Sequence, residues 1–316
     1  MRGLIGVLRI YLKHAAIVLA VGLAFQLAAL HSGAQDKAKR PRITGIDHVR
    51  VYVTDIGKAN AFYAKLVGLP TKTAYGCRAA SLPCFPVNTH QQIELQPVSW
   101  SAPNNWLAEI AFTTDNIEQM RRYLRDHNVG VTPITTDANG AHHFELHDPE
   151  DNPLSFIQRT EFNPDFTTTN NRVGTTLLHA GFVVKNTAAE NRFYLDMLGF
   201  KLYWYGGFKD DGVDWYEIQV PDGDNWIEYM LNIPANAAHK ELGVQNHFSL
   251  GARDIQDAAE QLRKNGVEKI AGPGIGRDGK WGLNAYDPDG TRVEVMEFTP
   301  AKTPCCHAYT APHPTP

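Results

Sequence analysis

Between residues 178 and 184 the side chains alternate: His179, Gly181 and Val183 point one way, Leu178, Ala180, Phe182 and Val184 the other. A period of two predicts a strand. Elsewhere apolar residues recur at i, i+3, i+4 and i+7, as at Ile255, Ala258, Ala259 and Leu262. That spacing predicts a helix, with Asp254 placed to cap its start and Gly266 to end it. Asp-Gly and Asp-Pro pairs, such as Pro221-Asp222-Gly223 and Asp287-Pro288-Asp289-Gly290, mark turns between later strands. The repeating unit is a strand, a helix, then three strands.

That unit occurs four times. The segment IDHVRVYVTDIGKANAFYAKLVGL from Ile46 matches LLHAGFVVKNTAAENRFYLDMLGF from Leu177, with His48 and His179, and Phe62 and Phe193, both 131 residues apart. LAEIAFTTDNIEQMRRYLRDHNV from Leu107 matches NHFSLGARDIQDAAEQLRKNGV from Asn246. Asp148 and Asp287 are 139 apart, and Glu109 and His247 are 138 apart. Matched offsets at independent landmarks imply a duplicated domain whose halves are themselves alike. The predicted class is α+β: four βαβββ modules in two domains, each an incomplete barrel with its helices outside. The domains span residues 43–160 and 175–299, joined by a polar linker over 161–174.

Composition narrows the options. The chain has 316 residues, 43% hydrophobic and 20% charged, with 30 basic against 34 acidic side chains and a formal charge of -4. Nucleic-acid binding would call for a basic face, so no nucleic-acid partner is expected. Four cysteines are too few for a disulfide scaffold and are not spaced as a zinc ribbon. Arg2, Arg9 and Lys13, the apolar run over residues 15–30 and Ser32-Gly33-Ala34 read as a signal peptide over residues 1–34. The rival reading is an N-terminal membrane anchor. With cleavage, the chain is periplasmic or secreted, holds no stable anchor, and Cys77 and Cys84 meet conditions in which they can pair. The Pro-rich residues 300–316, with Cys305, Cys306 and His307, read as a disordered tail.

The chemistry concentrates in the second domain. His179 opens one module and Glu228 lies in its last strand; His247 and Glu294 hold the same two places in the next module. Trp226, Glu228 and Met230 share one face, opposite the apolar Ile227, Tyr229 and Leu231. Two imidazoles and two carboxylates converging in the concavity make a mixed nitrogen and oxygen site for one divalent ion, Fe, Mn, Ni, Co or Zn. Inward carboxylates without a cation would be costly to bury.

The paired modules, the stretch from Phe193 to Phe200 (FYLDMLGF) and the DPDGTRVE ending resemble the vicinal oxygen chelate superfamily, which includes glyoxalase I, bleomycin-binding proteins and extradiol dioxygenases. The resemblance covers residues 43–298. The order His, Glu, His, Glu is most similar to glyoxalase I, which implies His179, Glu228, His247 and Glu294 as metal ligands, with Glu228 or Glu294 as the catalytic proton shuttle. The implied activity is a metal-dependent lyase or isomerase acting on a small oxygenated substrate, in a monomer or homodimer. A ring-cleaving dioxygenase would use His179, His247 and Glu294, but that family's usual Tyr is replaced by Asn284. A metal-free binding or resistance protein is the third reading.

The first domain departs from the pattern. His48 and Glu94 match, but Glu109 replaces the second His and Ser155 the last Glu. This domain is expected to be scaffold or a metal-free pocket. Modules paired across domains would instead join His48 and Glu94 to His247 and Glu294. Trp226, Asn284 and Arg277 are candidate pocket residues. The last belongs to the Gly-rich loop over residues 272–279, which reads as a hairpin loop or a lid.

Overall fold

A computed structural model describes residues 38–68, 83–98, 106–137, 139–159 and 171–316. The expected signal peptide, Cys77 and most of the 161–174 linker lie outside the described residues. The first sheet begins with β1 (Ile43–Val53), followed by helix α1 (Ile56–Val67), β2 (Cys84–Pro86) and β3 (Gln92–Pro97). It continues with β4 (Leu107–Thr114), α2 (Ile117–Asp126), β5 (Thr135–Thr136), β6 (His142–His147) and β7 (Pro153–Gln158). The second opens with β8 (Thr176–Val183), α3 (Thr187–Asn191) running into a π-helical turn over Arg192–Met197, β9 (Lys201–Gly206), β10 (Trp215–Gln219) and β11 (Trp226–Met230). After α4 (His239–Gln245) come β12 (His247–Ala252), α5 (Ile255–Lys264), β13 (Ile270–Ile275), β14 (Trp281–Tyr286) and β15 (Arg292–Glu297).

The strand orders are β2-β3-β1-β4-β7-β6-β5 and β13-β14-β15-β12-β8-β11-β10-β9. In each curled sheet the opening strands of two modules lie side by side and antiparallel, β1 with β4 and β8 with β12. Each module's last strand runs parallel to its first. The four centremost strands of the second sheet are therefore the ones carrying His179, Glu228, His247 and Glu294. Sheet pairing is within domains, so His48 and Glu94 stay in the first sheet, away from His247 and Glu294.

The helices stop and start where local chemistry requires. Asp254 accepts from the backbone N–H groups of Gln256 and Asp257, and Asp55 from that of Lys58, each supplying a partner to an orphaned donor. Buried Ile255, Ala258, Ala259 and Leu262 face the sheet. The Phe-Tyr pairs that repeat 131 residues apart have a structural use. The Tyr63 hydroxyl donates to Asp287 at 3.0 Å, and the Tyr194 hydroxyl to Asp148 at 3.2 Å. Each domain's first helix thus reaches the Asp-Pro turn that precedes the last strand of the other domain.

The C-terminal residues correct an expectation. Residues 300–316 are not a disordered tail: they strap across the outer strands of the second sheet. Thr310 N–H donates to the Tyr203 carbonyl, the Tyr309 hydroxyl to Asp278, and the Tyr203 hydroxyl lies 2.6 Å from His313 Nδ1. Tyr309 and Ala311 pack on the cluster of Leu178, Tyr203, Trp226, Met296 and Phe298. A polar, Pro-rich segment can order when a few apolar anchors find an existing core. Cys305 and Cys306 form a disulfide, and Cys84 is also disulfide-bonded.

Candidate metal centre

Four buried or half-buried side chains meet above the middle of the second sheet. His179 Nε2 lies 3.1 Å from His247 Nε2, 3.8 Å from Glu228 Oε2 and 3.4 Å from Glu294 Oε2. His247 Nε2 lies 3.1 Å from Glu228 Oε2 and 3.9 Å from Glu294 Oε2. Bonds of about 2.0–2.2 Å to one ion would hold neighbouring ligand atoms roughly 3–4 Å apart. The spacings to the two imidazoles fit that requirement, and His179, Glu228 and His247 form a triad with all ligand atoms within 4.8 Å of one another.

Register explains the convergence. Gly181 of β8 is opposite His247 on one side and Glu228 on the other. Ser249 is likewise flanked by His179 and Glu294. Gly181 also makes room, because a Cβ there would sit 2.1 Å from His247 Cε1. No other residue type would leave the imidazole where it is.

Protonation states support the same reading. His247 Nδ1 is 2.9 Å from the Gln245 carbonyl oxygen, which can only accept, so the proton is on Nδ1 and the Nε2 lone pair faces the centre. Burial pushes both imidazoles well below the usual histidine range, with the Arg292 charge adding to it. They are neutral, as ligands must be. Burial raises Glu228 and Glu294 to about 7, against the pull of Arg292. Without a cation these carboxylates sit poised between charged and neutral at neutral pH.

A cleft of about 250 Å³ opens onto this cluster, with Trp204, Trp215, Glu217, Arg292 and Met296 among its walls. Arg277 lines it, as its sequence position suggests, but donates to the Gly207 carbonyl and pairs with Asp210. Trp226 corrects another expectation. It is fully buried beneath the site, its ring 4.9 Å from that of His179, and its cation neighbour is Lys280 at 4.3 Å. Strand parity put Trp226 on the Glu228 face correctly, but His179, opposite it in register, covers it. The wall tryptophans are instead Trp204 and Trp215 from β9 and β10. Asn284 is opposite Glu294 on β14, with its side-chain oxygen buried and unpartnered, and is not a wall of the cleft. The Gly-rich segment is the β13–β14 hairpin.

The family model described as Glyoxalase/Bleomycin resistance protein/Dioxygenase superfamily matches residues 45–156 and 176–295. The chain belongs to this superfamily. Its two matched stretches are the two sheets with their helices. A Mn(II)-bound glyoxalase from Novosphingobium aromaticivorans is similar in structure, with TM-score 0.63 and 18% identity over 81% of this chain and 83% of that one. Homoprotocatechuate 2,3-dioxygenase from Brevibacterium fuscum, complexed with 3,4-dihydroxyphenylacetate, aligns with TM-score 0.58 and 19% identity over 82% of each chain. The Arthrobacter globiformis homoprotocatechuate 2,3-dioxygenase aligns at 0.61 and 18%, over 82% and 81%. At these identities the likeness establishes the fold. No curated protein sequence matches.

Sequence reasoning missed Glu217, Trp204 and Arg292. Glu217 is opposite Glu228 in register and 2% exposed. Arg292 is two residues before Glu294, hence on its face. That parity was the available signal for it.

Proposed function

We propose that this protein is a divalent-metal-dependent glyoxalase-like enzyme, a lyase or isomerase acting on a small oxygenated compound. The observation that carries the reading is the triad of His179, Glu228 and His247, whose ligand atoms lie within 4.8 Å of one another, with Glu294 Oε2 3.4 Å from His179 Nε2 beside an open cleft. When bound there, a divalent ion would polarise adjacent oxygens of the substrate. His179 and His247 would hold it as neutral donors. Glu228 or Glu294 would take and return the proton, as the carboxylate that lets go of the ion to do so. Trp204, Trp215 and Met296 shield the reacting carbons from water. Metal analysis of protein reconstituted with Mn(II), Zn(II), Ni(II), Co(II) or Fe(II) should give about one ion per chain, and His179→Ala and His247→Ala should give none. A wild-type protein that takes up no ion would defeat the reading.

The dioxygenase neighbours favour a second reading, ring cleavage at His179, His247 and Glu294. Glu228, only 3.1 Å from His247 Nε2, argues against it by adding a fourth protein donor. Catechol turnover to a coloured product by protein loaded anaerobically with Fe(II) would decide for it. We place the chain outside the cytoplasm: the basic-apolar-small order of its N-terminus supports export. Mass measurement of the exported protein for loss of residues 1–34 tests that placement.

A further inference from the structure

Two guanidinium groups line the cleft, and they differ in what they are free to do. Arg277 is held by the Gly207 carbonyl and Asp210. Arg292 makes no salt bridge among the described residues, although it shares the cleft with Glu217, Glu228 and Glu294. Its Nη2 donates to His247 Nε2 at 2.8 Å, and its buried Nε–H has no hydrogen-bond partner. The lone pair it uses on His247 is the one a metal would claim, so metal loading leaves that donor without its acceptor. Pro153 stands at the repeat-equivalent place in the first domain, so the arginine is an addition particular to the second site. A planar fork with unpaired donors, facing an open cleft, matches a carboxylate better than a neutral oxygen.

We propose that Arg292 anchors the carboxylate of the substrate, and that the substrate is a small 2-oxo or 2-hydroxy acid. This rests on the metal-site reading above. The 2.8 Å between Arg292 Nη2 and His247 Nε2 sets the class. A carboxylate seated on the guanidinium lies beside the donor cluster, and an oxygen on the adjacent carbon is the next group able to reach it. The remaining substrate carbons lie against Trp204, Trp215 and Met296.

The test uses the full mature chain, stripped with chelator or loaded with Mn(II), as wild type, Arg292→Lys and Arg292→Met. Calorimetric titrations with pyruvate and lactate are compared with the neutral analogues lactamide and propane-1,2-diol. Loaded wild type should bind the acids at least about tenfold more tightly than the neutral compounds. Arg292→Met should lose that preference with its metal stoichiometry intact, and Arg292→Lys should retain part of it. Equal binding of acids and neutral analogues, or an unchanged preference in Arg292→Met, overturns the assignment. Metal loss in Arg292→Met also overturns it, since the arginine would then be a positioning residue for His247. If wild type takes up no metal, the enzyme reading fails separately. Titration of the stripped protein then decides: Arg292-dependent acid binding upholds the anchor, and its absence removes it.

Discussion

The two domains solve one electrostatic problem in opposite ways. Both bring acidic and imidazole groups to the middle of a curled sheet, and each needs a positive charge there. In the first domain the charge is an arginine paired with both carboxylates. Arg50 Nε and Nη2 donate to Glu94 at 3.0 and 2.6 Å, and Nη1 pairs with Glu109. Burial would raise Glu94, but the His48 and Arg50 charges outweigh it and hold its pKa below the ordinary value. Behind them Arg159 grips Asp47 with two hydrogen bonds, and Asp47 accepts from His48. Burial works against the Asp47 charge, yet these partners hold its pKa at about 2. In the second domain the repeat-equivalent of Arg50, 131 residues on, is Gly181, which has no side chain to offer. His247 moves into that space, and the guanidinium that meets it is that of Arg292 on β15, which pairs with none of the site's carboxylates among the described residues. One position, Arg or Gly, separates a closed ion network from an open centre.

Changing the ligands should break the comparison most sharply. His179→Ala and His247→Ala are expected to lose the ion and all activity, and Glu294→Ala to abolish activity, while His48→Ala leaves metal content unchanged. Elemental analysis of the four variants checks this, and metal loss in His48→Ala would contradict the within-domain assignment. Next comes Arg50→Ala, which strands Glu94 and Glu109 in the interior. Urea unfolding should show a loss of about 3–5 kcal/mol with the metal stoichiometry of wild type. Gly181→Ala would do the reverse. The new methyl displaces His247, and metal affinity should fall about 10–100-fold, with the first domain undisturbed.

Acidity offers a gentler probe. Glu228 and Glu294, near 7 without metal, must shed protons to bind it. Mn(II) affinity should therefore rise with pH up to and through neutrality and flatten above it. A flat profile would mean the carboxylates are already charged. A last probe concerns the helices that bridge the domains. Glu190 on α3 stands where α1 has Ala59, with both carboxylate oxygens buried and unpartnered. Burial lifts its pKa to about 9. A carboxyl whose folded pKa lies above its unfolded value of about 4.3 favours folding least when ionised. Stability should decline between about pH 4.3 and 9 on this account, and Glu190→Gln should flatten that decline in urea titrations.

Much of this was legible in the residues. Period-two and period-3.6 patterns yield the modules, and repeat offsets yield four equivalent positions, because strand pairing preserves spacing between copies. His179, Glu228, His247 and Glu294 could be named on that basis alone. The departure of the first domain from the four-donor pattern was legible too, from Glu109 and Ser155. The positive occupant of that site was not. Arg50 looks like any polar residue on an alternating strand until its strand is laid between β3 and β4, where Glu94 and Glu109 flank it.

Tertiary structure alone decided which modules share a sheet, which tryptophans face the cleft and that residues 300–316 pack down. Each depends on contacts between segments far apart in the chain. Local sequence sets which face of a strand a side chain occupies, through backbone geometry. Whether that face is covered by a neighbour, as His179 covers Trp226, is set by register and packing across strands, which no local pattern encodes.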